Sequence, residues 1–318
     1  MFTFILKRLA VGLGLLYIVV TLVFLAVQTV PGDPALIVLS GTGNSGEISP
    51  EALAATREQL GLDRPVIVQY VDYVAGLFRG DLGTSFDNRQ PVSDLLAARL
   101  PNTLELVGIV SVIAIAAGIA IGSRTARRGT AANTGLSFFT SLGISAPVYV
   151  LGTVLVFVFS VTLKWLPAGG FTSWAEDPVR HLQLLILPVT AIAIGLTSVI
   201  ARVTRSSVAE TTEQDWVRTS RALGLSEPVV FRTAVLRNSL TPVATIAALE
   251  IGILIGSTVL VERVFSWPGL STLLVEGVST RDYPVIQGVI IVTAALFILI
   301  NIVVDVLYGV LDPRARQS

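Results

Sequence analysis

Cysteine is absent from this sequence of 318 residues, and histidine occurs once, as His181. The absence of thiols excludes a disulfide framework, a thiolate nucleophile and any zinc or iron–sulfur site with sulfur ligands. A single imidazole leaves little for other metal chemistry, so we expect no metal site in this chain. His181 falls near the predicted boundary of an apolar stretch and is interpreted as an interfacial side chain without a chemical role.

Charged residues are also scarce. They make up 14% of the sequence, whereas hydrophobic residues make up 53% and the mean hydropathy is +0.77. This composition does not provide the surface of a soluble protein. The 22 basic side chains are balanced by 22 acidic ones, so no global basic field attracts nucleic acid, and no nucleic-acid partner is expected.

Motifs of several common enzyme classes are missing too. The two lysines, Lys7 and Lys164, follow no glycine-rich loop, so the sequence lacks the phosphate-binding motif of P-loop ATPases. It also lacks the His-Glu-x-x-His signature of zinc proteases and the Gly-x-Ser-x-Gly elbow of lipases. We therefore expect no catalytic residue and no enzymatic activity in this chain.

Long apolar stretches dominate what is present. A hydrocarbon core about 30 Å thick is crossed by roughly 20 apolar residues of helix. Six stretches have this length, at about 9–30, 103–122, 142–163, 182–201, 243–262 and 285–304. The first is followed by Pro31-Gly32-Asp33-Pro34 rather than by a small-x-small cleavage site, which favours a retained anchor over a signal peptide. The sequence thus predicts an all-α polytopic membrane protein with six transmembrane helices.

The distribution of basic residues predicts the orientation of these helices. Of the 22 basic residues, 13 fall on the segments that would share one side with the termini, namely Lys7, Arg8, Arg124, Arg127, Arg128, Arg202, Arg205, Arg218, Arg221, Arg232, Arg237, Arg314 and Arg316. Basic residues are enriched in cytoplasmic loops, so both termini are predicted to be cytoplasmic. The predicted organisation is a first transmembrane helix (1–31), an extracytoplasmic helical segment (32–100) and a core domain with five transmembrane helices (101–318).

The segment 32–100 carries five arginines against nine acidic residues and is too long for a simple connection. Ser49-Pro50-Glu51 predicts the start of a helix that Gly61 ends, and Asp63-Arg64-Pro65 predicts the start of another that Gly80 ends. One face of the second helix is apolar, with Val66, Ile67, Tyr70, Val71, Val74, Leu77 and Phe78. Such a helix either packs on the transmembrane bundle, which we favour, or lies in the lipid interface.

Pairs of glycines occur four residues apart in two of the predicted spans. Gly118 with Gly122, and Gly252 with Gly256, place small residues on one helical face. This pattern is typical of closely packed membrane helices, although glycine is common in such helices generally.

The predicted inner loop at about 204–241 is typical of two short helices that meet at a sharp turn. Gly224 suits the left-handed conformation that ends the first helix, and Ser226 suits the N-cap of the second, with Glu227 and Pro228 in its first turn. A rigid helix pair of this kind could receive a push from a soluble motor. An ordinary solvated loop, rich in arginine because it is cytoplasmic, is the alternative.

Several short motifs occur in order along nearly the whole chain. They are Pro31-Gly32-Asp33-Pro34, Leu60-Gly61-Leu62-Asp63-Arg64-Pro65, Gly80-Asp81-Leu82-Gly83-Thr84-Ser85, Arg99-Leu100-Pro101-Asn102-Thr103-Leu104, Asp215-Trp216-Val217-Arg218-Thr219, Arg221-Ala222-Leu223-Gly224-Leu225-Ser226, Leu236-Arg237-Asn238-Ser239-Leu240-Thr241-Pro242, Val261-Glu262-Arg263-Val264-Phe265-Ser266-Trp267-Pro268-Gly269-Leu270, Arg281-Asp282-Tyr283-Pro284 and Leu311-Asp312-Pro313-Arg314. In this register the chain resembles the dipeptide/oligopeptide/nickel permease family of ABC importers, and within it the first of the two paired permeases.

The resemblance implies a type I ABC-importer permease fold in the bacterial inner membrane and a role as the pore subunit that moves di- or oligopeptides by alternating access. It implies three kinds of protein partner: a second, homologous permease, two ATP-binding subunits and an extracytoplasmic substrate-binding protein. The remaining partners are membrane lipid and the peptide itself. No cofactor is expected in this chain, because ATP and magnesium would be bound by the partner subunits.

The resemblance also implies a role for the inner loop, which docks on the ATPase subunit in such permeases. The residues carried over to this role are Asp215, Arg218, Thr219, Arg221, Ala222, Gly224, Leu225 and Ser226. The Glu-Ala-Ala sequence of ABC-importer loops in general is replaced here by Arg218-Thr219-Ser220. Docking is therefore expected to depend on Gly224 and its flanking residues.

Glu250 is the one acidic residue that the sequence places well inside a span, where burial costs on the order of 3 kcal/mol. It either lines the translocation pathway and meets a peptide amino group or backbone, or makes a buried contact with Asn301, Arg202 or a partner subunit. Asn301 is the second pathway candidate, with helix packing as its more ordinary role.

For the whole chain, the alternatives are a nickel-chelate or glutathione importer, an ion-coupled secondary transporter and a structural scaffold. An ion-coupled transporter predicts internal repeats and several midplane charges.

Overall fold

The computed structural model describes residues 2–30, 32–40, 49–127 and 130–311, with side chains undescribed at 2–4, 40, 130–133, 257 and 304–311. Several residues used in the sequence predictions lie outside the described residues, namely Pro31, Arg128, Asp312, Pro313, Arg314 and Arg316. Within the described ranges the chain is helical, and its β-structure is one isolated bridge between Thr84 and Pro91.

The helices are, in chain order, α1 (Phe2–Thr29), α2 (Pro34–Ser40), α3 (Pro50–Gln59), α4 (Val66–Phe78), α5 (Val92–Ala126), α6 (Thr130–Ser145), α7 (Val148–Leu155), α8 (Pro178–Thr212), α9 (Asp215–Ala222), α10 (Glu227–Val230), α11 (Arg237–Ser257), α12 (Val259–Val264), α13 (Leu270–Thr280) and α14 (Tyr283–Leu311). A π-helical turn at Val156–Thr162 continues α7, and another at Phe231–Leu236 joins α10 to α11. Among the described residues, five long apolar helices and one bent helix pair could cross a membrane, which gives the six predicted spans when the bent pair is one span.

Two of the spanning helices are much longer than the sequence predicted. Both α5 and α8 contain 35 residues, which is about 52 Å at 1.5 Å per residue. A hydrocarbon core of about 30 Å cannot contain that length, so each helix continues beyond the membrane. The predicted helices were too short because only apolar residues were counted, whereas the helical backbone continues into polar sequence.

The third predicted span, 142–163, is wrong as a single straight helix. α6 ends at Ser145, α7 begins at Val148, and the two helices are bent by 98°. Pro147 occupies the N-cap position of α7 with φ −59° and ψ 134°. Proline has no N–H for the helical ladder and disfavours a helical residue before it, and this breaks a run that hydropathy treats as continuous.

The chain divides into two compact units, of which the first contains residues 1–5, 103–267 and 299–318. Its core is centred on α8, which buries a long row of aliphatic residues including Leu184, Leu196 and Ile200. The glycines of α5 allow α8 to approach closely. A Cβ built on Gly118 would lie 2.6 Å from the Ile200 side chain, and one on Gly122 would overlap the Ala201 carbonyl oxygen.

The predicted close approach at Gly118 and Gly122 is therefore confirmed. The corresponding expectation for the second glycine pair is not met at Gly256, where an added Cβ would meet no atom within 4 Å in the described part of the chain.

The second unit contains residues 6–102 and 268–298. Its core brings the first turns of α5 against α13 and α14 through Val92, Leu96, Leu270, Leu273, Val285 and Val289. Asp282 joins these elements: its carboxylate accepts a short hydrogen bond from the Ser85 hydroxyl and another from the Val285 amide at 3.4 Å, which caps α14. Asp282 is 2% exposed, so this carboxylate is an internal part of the unit.

The two predicted helices of the 32–100 segment are confirmed. Ser49 caps α3 by accepting a hydrogen bond from the Ala52 amide at 3.2 Å. Gly61 and Gly80 follow α3 and α4 with φ of +67° and +80°. The favoured packing of α4 is observed on one side of the helix only, because Tyr70 contacts α1 whereas Ile67, Val71 and Phe78 are exposed.

Candidate functional site

The inner loop has the two-helix form that the sequence predicts. α9 covers Asp215–Ala222, Gly224 takes a left-handed conformation with φ +80°, and α10 begins at Glu227. An added Cβ at Gly224 would meet no described atom within 4 Å. The glycine is therefore required by backbone conformation rather than by a shortage of space.

Ser226 occupies the N-cap position of α10, but its side chain makes no capping hydrogen bond. The prediction of a side-chain cap is therefore wrong, although the Ser226 carbonyl accepts the amide of Val229 at 2.9 Å. An ion pair closes the turn instead, with Arg221 Nε 2.8 Å from Glu227 Oε1. Arg218 forms a longer and more exposed pair with Asp215, at 3.6 Å.

The turn is firmly connected to two spanning helices. Four buried valines from α8, α9, α10 and the following π-helical turn form one cluster, namely Val208, Val217, Val230 and Val235. Ser207 on α8 donates to the Ser239 carbonyl at 3.0 Å, and Ser239 donates back to the Ser207 carbonyl at 3.3 Å. The second loop helix continues without a break into α11. A force on the turn therefore acts directly on α8 and α11.

The tip of this helix pair is apolar and exposed. Leu223 and Leu225, on either side of Gly224, are 77% and 47% exposed. All eight residues predicted for coupling are exposed, namely Asp215, Arg218, Thr219, Arg221, Ala222, Gly224, Leu225 and Ser226. Two exposed leucines beside arginines have the composition of an interface core with a polar rim.

A cavity of about 250 Å³ lies among α6, α7, α8, α11 and α12, and Glu250 is the one charged residue in its wall. Its walls are otherwise formed by Gly143, Ile144, Ala146, Val148, Leu151, Ala191, Ile192, Gly195, Leu196, Val199, Leu254, Thr258 and Val261. Among the described residues, the Glu250 carboxylate has neither a hydrogen-bond donor nor an ion-pair partner. Its charge is therefore available to a molecule that enters the cavity.

The internal contacts considered for Glu250 are not made. Arg202 donates instead to the Ser141 hydroxyl at 3.4 Å. Asn301 is half-buried on α14 and is not among the residues that line the cavity. Its assignment to the pathway stays a prediction.

Glu262 is the most deeply buried acidic residue in the described part of the chain, and its burial was not predicted from the sequence. It is 0% exposed, and its Oε1 accepts hydrogen bonds from the hydroxyls of Thr103 and Thr258, both at 3.0 Å. The sequence placed it at the end of the fifth span, but α11 ends at Ser257 and Glu262 belongs to α12. Glu262 therefore lies outside the candidate span that contains Glu250, which ends at Gly256. No local pattern marked this contact, because Thr103 lies inside α5 and Thr258 at the end of α11, far apart in the sequence.

The interpretation of His181 as an interfacial side chain is also wrong. His181 is 0% exposed, with Nδ1 2.6 Å from the Thr172 carbonyl oxygen and Nε2 3.0 Å from Glu105 Oε1. Its ring lies 4.3 Å from that of Trp174, centroid to centroid. Since a carbonyl oxygen only accepts hydrogen bonds, Nδ1 carries a hydrogen. Through its contacts with Thr172 and Glu105, His181 connects the loop before α8 to both α5 and α8.

Family models match both parts of the chain. Residues 1–107 match the N-terminal model of binding-protein-dependent transport system membrane components, and residues 114–317 match the model described as binding-protein-dependent transport system inner membrane component. The chain belongs to this family. The permease is therefore a multi-pass protein of the inner membrane and a component of a binding-protein-dependent transport system.

Two relatives match this permease over its full length. A protein of Brucella abortus (strain 2308) named "Putative peptide transport system permease protein" is 40% identical over 315 residues, which are 99% of both chains. The glutathione transport system permease protein of Salmonella typhimurium is 42% identical over 320 residues, which are 100% of both. The resemblance to peptide-type ABC permeases is confirmed, and the family assignment favours it over an ion-coupled transporter.

The fold is that of an ABC-importer permease. An inward-facing structure of the MetNI methionine ABC transporter superposes with a TM-score of 0.55 at 19% identity, covering 69% of this chain and 96% of the other. The transmembrane architecture predicted from the sequence is thereby confirmed, whereas the roles of individual loop and cavity residues stay predictions.

Proposed function

We propose that this permease is the pore subunit of an ATP-driven importer and that it passes di- or oligopeptides through the membrane by alternating access. The substrate class is supported by the relatives, one of which is named for peptide transport and is 40% identical over 99% of both chains. An extracytoplasmic binding protein delivers the peptide, and a second, homologous permease completes the pathway.

The termini and the 204–241 loop are proposed to lie on the cytoplasmic side. Arg202, Arg205, Arg218, Arg221, Arg232 and Arg237 cluster along this one loop and its flanking helix ends, as the positive-inside rule expects of a cytoplasmic segment. The segment 32–100 then lies outside, where it and residues 264–284 form the docking surface for the binding protein.

The observation that carries the proposal is the exposed Leu223–Gly224–Leu225 tip on a helix pair fixed to α8 and α11. Two ATP-binding subunits hold ATP and magnesium and bind this tip and its equivalent on the second permease. Because α10 continues into α11 without a break, movement of the tip is transmitted to the helix that carries Glu250. ATP binding thus switches the cavity between the two sides, and hydrolysis resets it.

Glu250 is proposed to receive the amino group of the peptide. Its carboxylate faces a largely apolar cavity without an internal partner among the described residues. In such surroundings a hydrogen bond between charged groups contributes about 1.5–3 kcal/mol. That interaction orients the peptide through its N-terminal amino group, which all unmodified peptides have. Selectivity for peptide side chains then depends on the binding protein.

Glutathione is the second candidate substrate. A permease named for glutathione transport is 42% identical to this chain over its full length, and glutathione also carries a free amino group. A nickel chelate is a further possibility within the same family resemblance.

The proposal is tested with the complete transporter in proteoliposomes that contain ATP on the cytoplasmic side. Uptake of radiolabelled di- and oligopeptides would be compared with uptake of glutathione, in each case with and without the binding protein. The proposal expects ATP- and binding-protein-dependent accumulation of peptides. Accumulation driven by an ion gradient without ATP would contradict it, and accumulation of glutathione alone would select the second candidate.

A further inference from the structure

One face of α4 is apolar and uncovered in the described part of the chain. Ile67, Val71 and Phe78 are 78%, 58% and 89% exposed. They are separated by four and seven residues, so at 100° per residue they form one stripe along the helix. Val66 and Val68 are also exposed beside it, at 48% and 41%. The stripe contains no charged or hydrogen-bonding side chain.

The opposite face of α4 packs on α1. The hydroxyls of Tyr70 and Thr21 are 2.7 Å apart, and the side-chain amides of Gln69 and Gln28 are 3.2 Å apart. The Phe24 ring lies 5.3 Å from that of Tyr70, centroid to centroid. Gln69 and Tyr70 on this face are thus hydrogen-bonded to α1, and the ring of Tyr73 packs on Phe24, while Ile67, Val71 and Phe78 lie on the exposed side of α4.

These contacts define the depth of α4. Thr21 lies eight residues before Thr29, the last residue of α1, which is about 12 Å along the helix axis. α1 is itself a candidate span that presents apolar residues outwards, with Leu13 and Leu22 65% and 60% exposed. A helix that contacts α1 between Thr21 and Gln28 is therefore level with one leaflet of the bilayer, and its contacts, from about 1.5 to about 12 Å before the end of α1, bracket the roughly 5–10 Å depth typical of interfacial helices.

We propose that α4 is a membrane-interface helix whose Ile67–Val71–Phe78 stripe contacts lipid acyl chains. The uncovered stripe continues the lipid-facing surface of α1, and it lacks the polar groups that fix the register of a protein–protein interface. Lipid is therefore the occupant that its chemistry fits. This contact anchors the 49–80 part of the chain to the membrane surface, independently of which substrate is transported.

The absence of cysteine from the natural sequence allows a direct test, because a single introduced cysteine is the only thiol in this subunit. Ile67→Cys and Phe78→Cys would each be spin-labelled in the complete transporter, reconstituted in lipid with cysteine-free partner subunits. Collision rates with oxygen, which concentrates in the bilayer, and with a water-soluble nickel chelate would be measured by power saturation. Leu22→Cys on α1 is the lipid control, and Asp72→Cys on α4, whose native side chain is 59% exposed, is the water control.

The proposal expects a ratio of oxygen to nickel collisions at positions 67 and 78 that is several-fold higher than at position 72 and close to that at position 22. A ratio equal to that at position 72 would show that the stripe faces water. Low collision rates with both reagents would show that a protein subunit covers it. Either result overturns the proposal, and copurification of all subunits verifies that each labelled transporter is assembled.

Discussion

The guanidinium of Arg221 lies 2.8 Å from the carboxylate of Glu227, across the turn at Gly224. The pair connects the end of α9 to the start of α10 at the exposed tip, where Ser226 makes no side-chain capping hydrogen bond. Because both side chains are substantially exposed, 39% and 65% respectively, the pair contributes little to overall stability, at most about 1 kcal/mol. Its effect is on the orientation of the tip.

Arg221→Ala and Glu227→Ala are therefore expected to leave the unfolding temperature of the assembled transporter within a few degrees of the wild type. Each should lower the number of peptides taken up per ATP hydrolysed, because the tip is less rigidly connected to α10. The exchanged variant, with Arg221→Glu and Glu227→Arg together, should recover part of the loss. Equal coupling ratios in all four proteins would show that the ion pair has no part in transmission.

Glu250→Gln is expected to weaken transport of peptides that have a free amino group. Loss of a charge-assisted interaction of about 1.5–3 kcal/mol corresponds to a roughly tenfold to hundredfold increase in the half-saturating peptide concentration. Thermal stability should not fall, because Glu250 has no internal partner among the described residues. N-acetylated peptides provide the control: if uptake of free and acetylated peptides changes equally, Glu250 does not bind the amino group.

Glu105→Leu is expected to destabilise the protein strongly. Nε2 of His181 lies 3.0 Å from Glu105 Oε1, which also accepts a hydrogen bond from the indole N–H of Trp174 at 2.5 Å. Leucine would leave the buried Nε2 of His181 without this partner, at about 1–3 kcal/mol, whereas Trp174 is 46% exposed and its indole N–H can donate to water instead. Glu105→Gln keeps an acceptor oxygen and should lose much less. Thermal unfolding in detergent, monitored by tryptophan fluorescence, measures the difference, and similar unfolding temperatures for the two variants would argue against the hydrogen-bond account.

Gly122→Ala should disturb the contact between α5 and α8, whereas Gly108→Ala on the same helix should not. An added Cβ at Gly122 would overlap the Ala201 carbonyl oxygen, but at Gly108 it would meet no described atom within 4 Å. Overpacking of this kind costs typically about 1–3 kcal/mol, while alanine in an open helical position stabilises by up to about 1 kcal/mol. Unfolding temperatures of the two variants provide the comparison, and a neutral Gly122→Ala would mean that the helices separate without cost.

The features that could be predicted from the sequence are those governed by local chemistry. Length and hydropathy locate the spans because lipid requires apolar helices, and Gly224 locates the turn because few other residues tolerate φ of +80°. The burial of His181 and Glu262 could not be predicted, since it depends on Glu105, Thr103 and other partners distant in the sequence. The break before Val148 could have been predicted from Pro147, because proline disfavours a continuous helix. It was not predicted, because the residues on both sides of Pro147 are apolar and hydropathy treats them as one span.

The proposed coupling of the turn at Gly224 to the ATP-binding subunits is tested by comparing Gly224→Asp with Gly80→Asp in the complete transporter. Both glycines have φ of +80° and open space for a Cβ, so the two variants carry a similar backbone strain and the same added charge. The measurement is copurification of the ATP-binding subunits together with ATPase activity stimulated by the binding protein.

We expect Gly224→Asp to lose stimulated ATPase activity, or the ATP-binding subunits themselves, while the permease remains folded in the membrane. Gly80→Asp should retain the ATP-binding subunits, because Gly80 belongs to the segment proposed to lie on the opposite side. Unchanged assembly, stimulation and uptake in Gly224→Asp would contradict the proposal that this turn couples the permease to ATP.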